Sequence, residues 1–322
     1  MKKLAIRFTV TVLTLFMMIQ SASAVRLLVP VGQVVGLELG EDRVTVDGFD
    51  DASESVARSA GLRIGDQLLQ IEGKDIRCAE DVRKALQVSP ETVRIRILRE
   101  GTEKEFALKP HITKDGPRIG VFLRQGVTGI GTVTYYDPDT GKFGALGHGV
   151  NGKNEELVSL TKGFAYRAKV DAVKKGKPGD PGQLMGSVTQ PEPIAVLSKN
   201  TLQGVFGTAS QPFRADALPI ADITEIQPGP AKIHSTIEGN TVREYSVEIL
   251  KIYPHSGADG RNLLLRVTDP QLLNTTGGII QGMSGSPIIQ DGKLVGAVTH
   301  VLVNDPTTGY GIFIENMLDA AG

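Results

Sequence analysis

The chain is poor in the residues that most often reveal a binding chemistry. Its 322 residues include one cysteine, no tryptophan and only 5% aromatics. A lone Cys78 excludes an intramolecular disulfide, and an exported chain without disulfides suits a bacterial envelope better than a eukaryotic secretory route. Cys78 reads as a buried or tolerated thiol rather than a nucleophile. The scarcity of aromatics removes stacking platforms for bases, and a formal net charge of −1 supplies no field that would gather nucleic acid. There is no His-x-x-x-His pattern and no cysteine cluster, so neither a metal nor another cofactor is implied. Long apolar runs are also missing, except at the N-terminus.

That exception starts with Met1-Lys2-Lys3, continues as a mostly apolar stretch from Leu4 to Ile19, and ends at Ser21-Ala22-Ser23-Ala24. Arg7 leaves only 12 uncharged residues, Phe8 to Ile19, against the ~20 that a membrane span needs. The pattern is that of a secretory signal over residues 1–24, cleaved after Ala24; a retained anchor is the alternative.

What the chain does have is glycine (38), proline (17) and 40% apolar residues, enough for about two domains rich in strands and turns. Residues 26–112 read as one small α/β unit. Strands are expected over Val34–Leu39, Arg43–Val46, Thr92–Arg99 and Glu105–Leu108, and helices over Ala57–Ala60 and Ala79–Leu86. Between them, Ala60-Gly61-Leu62-Arg63-Ile64-Gly65-Asp66-Gln67-Leu68-Leu69-Gln70-Ile71-Glu72-Gly73 resembles a PDZ domain. By that resemblance the segment around Gly32, Val34, Val35, Gly36 and Leu37 lies where such domains capture a peptide terminus and add it to a sheet edge. The other reading is a PDZ fold that only packs on its neighbour or holds a chain terminus.

Residues 113–322 read as a second, mostly β domain of strands separated by Gly and Pro. Its most informative stretch is Gly282-Met283-Ser284-Gly285-Ser286-Pro287, a tight turn before a strand and an Asp291-Gly292 hairpin. Glycines on both sides of Ser284 let the backbone approach a scissile carbonyl, and the N–H groups of Gly282 and Ser284 are placed to hold an oxyanion. The Gly-x-Ser-Gly-x-Pro order resembles the nucleophile turn of chymotrypsin-like peptidases. A strand follows instead of a helix, which argues against an α/β-hydrolase.

A serine nucleophile needs a base and a group to orient it. His148, in Gly147-His148-Gly149 at a strand end, is the first candidate and His300 the alternative; His234 and His255 are expected among polar loop residues. Acids between His148 and Ser284 include Asp171, Asp180, Asp216, Asp222, Asp259 and Asp269. Asp269 stands out because it ends an apolar strand, although Asp269-Pro270 is equally a turn starter.

The strings Phe143–Gly149, Val267-Thr268-Asp269-Pro270, Gly282–Pro287 and Gly296–Leu318 resemble the stage IV sporulation protein B family of serine peptidases. The resemblance covers nearly the whole chain. It implies a mostly β fold, with a small α/β PDZ domain followed by a chymotrypsin-like β-barrel peptidase domain. It also implies Ser284 as nucleophile, His148 as general base and Asp269 as orienting acid. Such a protein is exported from the forespore, cleaves itself near the PDZ domain, and acts between the forespore and mother-cell membranes. The implied partner is a membrane-bound regulator that restrains an intramembrane protease, and its cleavage activates mother-cell sigma factor K. Two rival functions are a non-catalytic PDZ scaffold that binds peptides and a general PDZ-bearing envelope quality-control protease.

Overall fold

A computed structural model of the chain describes residues 26–41, 43–50, 55–88, 91–152, 155–254 and 261–322. The expected signal segment, His255 and Asp259 lie outside the described residues.

The first two strands are β1 (Leu27–Pro30) and β2 (Val34–Gly40). The chain then forms a small domain from β3 (Val44–Phe49), α1 (Val56–Ser59), β4 (Gln67–Ile71), β5 (Lys74–Asp75), α2 (Ala79–Val88), β6 (Val93–Arg99), β7 (Thr102–Leu108), β8 (His111–Thr113), β9 (Gly116–Arg118) and β10 (Val121–Arg124). Its main sheet runs β10-β3-β4-β6-β7. In β6 the alternation Val93-Arg94-Ile95-Arg96-Ile97 sends the three apolar side chains to full burial and the arginines to solvent. In α2, Val82, Ala85 and Leu86 share one helix face and close the core over that sheet. The Asp81 carboxylate secures the start of α2 by accepting the N–H groups of Arg77 at 3.0 Å and Cys78 at 3.2 Å. The Gly65-Asp66 turn is locked by a two-pronged ion pair. Arg99 donates from Nε and Nη2 to the two carboxylate oxygens of Asp66 at 2.6 and 2.7 Å, with Asp66 only 1% exposed.

The chain returns as β11 (Val127–Tyr136), β12 (Lys142–Ala145), β13 (Lys162–Lys174), β14 (Gln183–Thr201) and β15 (Gly204–Ala209). Pairing runs β2-β11-β12-β15-β14-β13 and back to β2, which closes a six-stranded barrel. Short β16 (Leu218–Pro219) pairs with β1. A second closed barrel has the order β17-β18-β19-β22-β21-β20. Its strands are β17 (Gly229–Ser235), β18 (Arg243–Ile252), β19 (Leu263–Val267), β20 (Pro287–Gln290), β21 (Lys293–Leu302) and β22 (Asp305–Phe313). Helix α3 (Pro270–Thr276) follows β19, and α4 (Ile314–Ala321) ends the chain. Leu28, Tyr135, Phe206, Leu294 and Ile312 meet between the barrels, with Met317 of α4 packed on them.

The domain boundary differs from the expected 26–112. Strands β1 and β2 belong to the first barrel: Val35 lies opposite Gly131 of β11 on one side and Arg167 of β13 on the other. The small domain is therefore an insertion between β2 and β11. Both edges of Val34–Leu37 are occupied by barrel strands, and Gly32 lies against His234, where a Cβ would come within 2.7 Å of the His234 Cβ. So Gly32, Val34, Val35, Gly36 and Leu37 form no peptide-capturing loop. His234 also departs from its expected loop. It stands in β17 opposite Glu244 of β18, because Lys232-Ile233-His234-Ser235 alternates outward and inward as a strand does.

Candidate active site

The Ser284 turn lies where the second barrel meets the first. Two positive-φ glycines, Gly282 (96°) and Gly285 (97°), bracket it. β11 holds it from across the barrel boundary: the Thr132 hydroxyl donates to the Gly282 carbonyl at 2.8 Å, and the Thr132 N–H donates to the Ser284 carbonyl at 3.1 Å. Gly285 permits this contact, since a Cβ there would stand 2.1 Å from the Thr132 carbonyl oxygen. From below, the Gly285 N–H donates to Val298 at 2.7 Å, and the Ser286 hydroxyl donates to Ser235 Oγ at 3.0 Å. The N–H groups of Gly282 and Ser284 have no hydrogen-bond acceptor among the described residues. Two unsatisfied donors two residues apart in one tight turn are what an oxyanion site requires. The Ser284 hydroxyl donates to the Thr299 carbonyl at 2.7 Å, a resting orientation.

His148 follows β12 through a strained turn in which both Leu146 and Gly147 adopt φ of 70°. That turn is pinned by the Leu146 N–H on the Thr132 carbonyl at 3.1 Å, so the same β11 residue positions both the histidine and the serine. His148 Nδ1 lies 2.9 Å from the Gly149 carbonyl. A carbonyl only accepts, so Nδ1 carries the proton and Nε2 is left as the basic nitrogen. Burial pushes the His148 pKa below the usual 6.5, against the smaller upward pull of the Gly149 carbonyl. The imidazole is thus neutral and able to accept a proton at neutral pH. His300, the alternative base, packs beside it with ring centroids 5.2 Å apart. His148, His300, Ser284 and Gly282 line a single cavity of about 800 Å³.

Asp269 lies elsewhere. It caps α3: one carboxylate oxygen accepts the Leu272 N–H at 2.9 Å and the other faces the Ser246 N–H at 3.4 Å. It does not line the Ser284 cavity, and among the described residues no carboxylate perturbs His148. The expectation that Asp269 orients His148 therefore does not match this arrangement. The physical reason is local: Asp-Pro supplies an N-cap and first helical residue, and Gly277 at φ 78° supplies the C-terminal stop. The group that holds Nδ1 is the Gly149 carbonyl, a backbone atom that no side-chain pattern reveals.

In the small domain β10 is one edge of the sheet and β7 the other; among the described residues β10 pairs with β3. Between β10 and α2 runs a groove of about 500 Å³ lined by Val82, Leu86, Ile119, Val121 and Leu123. Gly120, at φ 72°, opens the strand. The sequence signal for this groove is Arg118-Ile119-Gly120-Val121, not the Leu28–Leu37 segment. Among the described residues no three His, Cys, Asp or Glu side chains gather as a metal site.

The chain is 39% identical over 82 residues to a protein of Rhizobium meliloti, and 32% identical over 90 residues to one of Agrobacterium fabrum, both bearing zinc metalloprotease names. These matches take in 25% and 28% of this chain but only 22% and 23% of those proteins, so the chain spans less than a quarter of their length. Among solved structures, the Rv3671c protease of M. tuberculosis in its active form matches 75% of this chain and 84% of its own, at 17% identity and TM-score 0.37. The PDZ domain of an SdrC-like protein of Listeria monocytogenes matches 26% of this chain and 87% of its own, at 24% identity and TM-score 0.22. Residues 52–99 match the sequence profile of a PDZ domain, and residues 115–318, which carry both His148 and Ser284, match that of the SpoIVB peptidase S55 family. The chain belongs to the SpoIVB peptidase S55 family and carries a PDZ domain.

Proposed function

We propose that Ser284 and His148 work as a dyad, with the Gly149 carbonyl in the place of an orienting acid. The Ser284 hydroxyl turns from the Thr299 carbonyl to Nε2 of His148 and attacks the scissile carbonyl as Nε2 takes its proton. The oxyanion forms between the Gly282 and Ser284 N–H groups. His148 then returns the proton to the leaving amine, and water, deprotonated by the same nitrogen, releases the acyl group. The observation that carries this reading is the joint placement of a half-buried neutral imidazole, a serine hydroxyl and two unsatisfied N–H groups in one cavity.

In its biological setting the enzyme is exported from the forespore, cleaves itself near the PDZ domain, and cuts a membrane-bound regulator of an intramembrane protease. That cut leads to activation of mother-cell sigma factor K. Family membership supports this assignment. The β10 groove offers a place for an extended segment of substrate to add as a strand. The test is co-expression with candidate regulators in an endospore-former lacking its own enzyme. Restoration of sigma factor K activity by the wild type, and not by Ser284→Ala, is the expected result. Broad degradation of unfolded proteins with no such restoration would favour the quality-control role instead.

A further inference from the structure

The Ser284 cavity has a wall that the catalytic reading leaves unused. It is built by β2 and β11, the two strands that lead into and out of the PDZ insertion, through Leu37, Leu39, Val127, Gly129 and Ile130. Leu202, 56% exposed on the β14–β15 turn, closes the far side. Among the described residues no lysine, arginine, aspartate or glutamate lines the cavity. Its volume of about 800 Å³ falls in the ~300–1,000 Å³ range of ligand pockets. One position shows that the space is open: a Cβ on Gly129 would meet nothing within 4 Å, although Gly129 sits in a paired strand opposite Leu37.

We propose that this wall is a specificity subsite that takes a large aliphatic or aromatic side chain flanking the scissile bond of the substrate. The inference rests on the serine peptidase reading of Ser284 and His148 and adds the chemistry of what they cut. A charged side chain placed there would lose its water without gaining a partner, whereas an apolar one gains contact with aliphatic side chains such as Val127, Ile130 and Leu202. Because β2 and β11 form the wall, the subsite is continuous with the stems of the PDZ insertion. A hydrophobic pocket distinguishes side chains differing by one methylene by about 10–200-fold, so the preference is measurable.

The test is cleavage-site mapping by mass spectrometry on a peptide library from a digested proteome, with fluorophosphonate labelling of Ser284 measured in parallel. Wild type is expected to enrich Leu, Ile, Met, Phe or Tyr at one position beside the cut and to deplete charged residues there. Gly129→Phe fills the cavity and shifts that position to Ala, Ser or Gly, with at least a ~10-fold loss for Leu and Phe. Ile130→Ala widens it and moves the preference to the largest rings. A folded, labelled Gly129→Phe or Ile130→Ala enzyme that cuts the same sites as wild type overturns the subsite, as does charged-residue enrichment at both flanking positions. Wild-type protein that neither labels nor cleaves overturns the peptidase reading itself, and the subsite with it; the labelling arm separates the two failures.

Discussion

Substituting Asp269 by Asn separates a capping role from a catalytic one. Asn and Asp cap helices about equally well, so Asp269→Asn keeps an oxygen for the Leu272 N–H, at 2.9 Å in the wild type. What is lost is a half-buried charge at the start of the seven-residue α3, worth about 0.3–1 kcal/mol against the helix dipole. The melting temperature is expected to fall by no more than about 4 °C. The self-cleavage rate constant is expected to stay within about 2-fold of wild type, since His148 is held through Gly149. An acid that orients the catalytic histidine predicts something far larger, a loss near 10⁴-fold in kcat. The assay is single-turnover self-cleavage of purified protein, followed by intact mass. An Asp269→Asn protein with native melting behaviour and a 10³–10⁴-fold slower reaction would refute the dyad and place Asp269 in the catalytic machinery.

Removing the Arg99 fork by Arg99→Met leaves Asp66 as a buried unpaired charge and is expected to cost about 3–5 kcal/mol, read as loss of the PDZ unfolding transition in calorimetry. Because Leu39 and Val127 are direct strand partners, residues 41–125 can be replaced by a two-residue Asn-Gly turn. The barrel should then keep its β signal in circular dichroism and its fluorophosphonate labelling; an unfolded product would show that the insertion holds the barrel together. Burial depresses the His148 pKa, so kcat/KM should rise with pH along a limb centred below 6.5 and stay flat above it. The same depression makes the folded state resist protonation. Stability is therefore unaffected by His148 above the unfolded value near 6.5 and falls as pH drops below it, a loss that His148→Gln abolishes in denaturant titrations.

Much of the site was legible because its signals are local. Gly282–Pro287 and Gly147-His148-Gly149 announce glycine-framed side chains at strand ends, and both reach the same cavity. Two features escaped for different physical reasons. The partners of β2 lie roughly 90 to 130 residues downstream, and strand periodicity shows which face is buried but not against what. In sequence alone, residues contiguous with the PDZ segment therefore read as part of it. Asp269 ends an apolar strand, a pattern open to two readings, a site acid or a helix cap. The Pro270 and Gly277 that frame it were the stronger evidence, since together they spell the start and stop of a helix.

The most direct test of the central claim is intact-mass analysis after fluorophosphonate treatment of wild type, Ser284→Ala and His148→Ala. One adduct on wild type, mapped to Ser284, with none on Ser284→Ala and labelling at least ~10²-fold slower on His148→Ala, is the predicted result. Equal labelling of wild type and His148→Ala, or an adduct on another residue, would contradict a Ser284 nucleophile activated by His148.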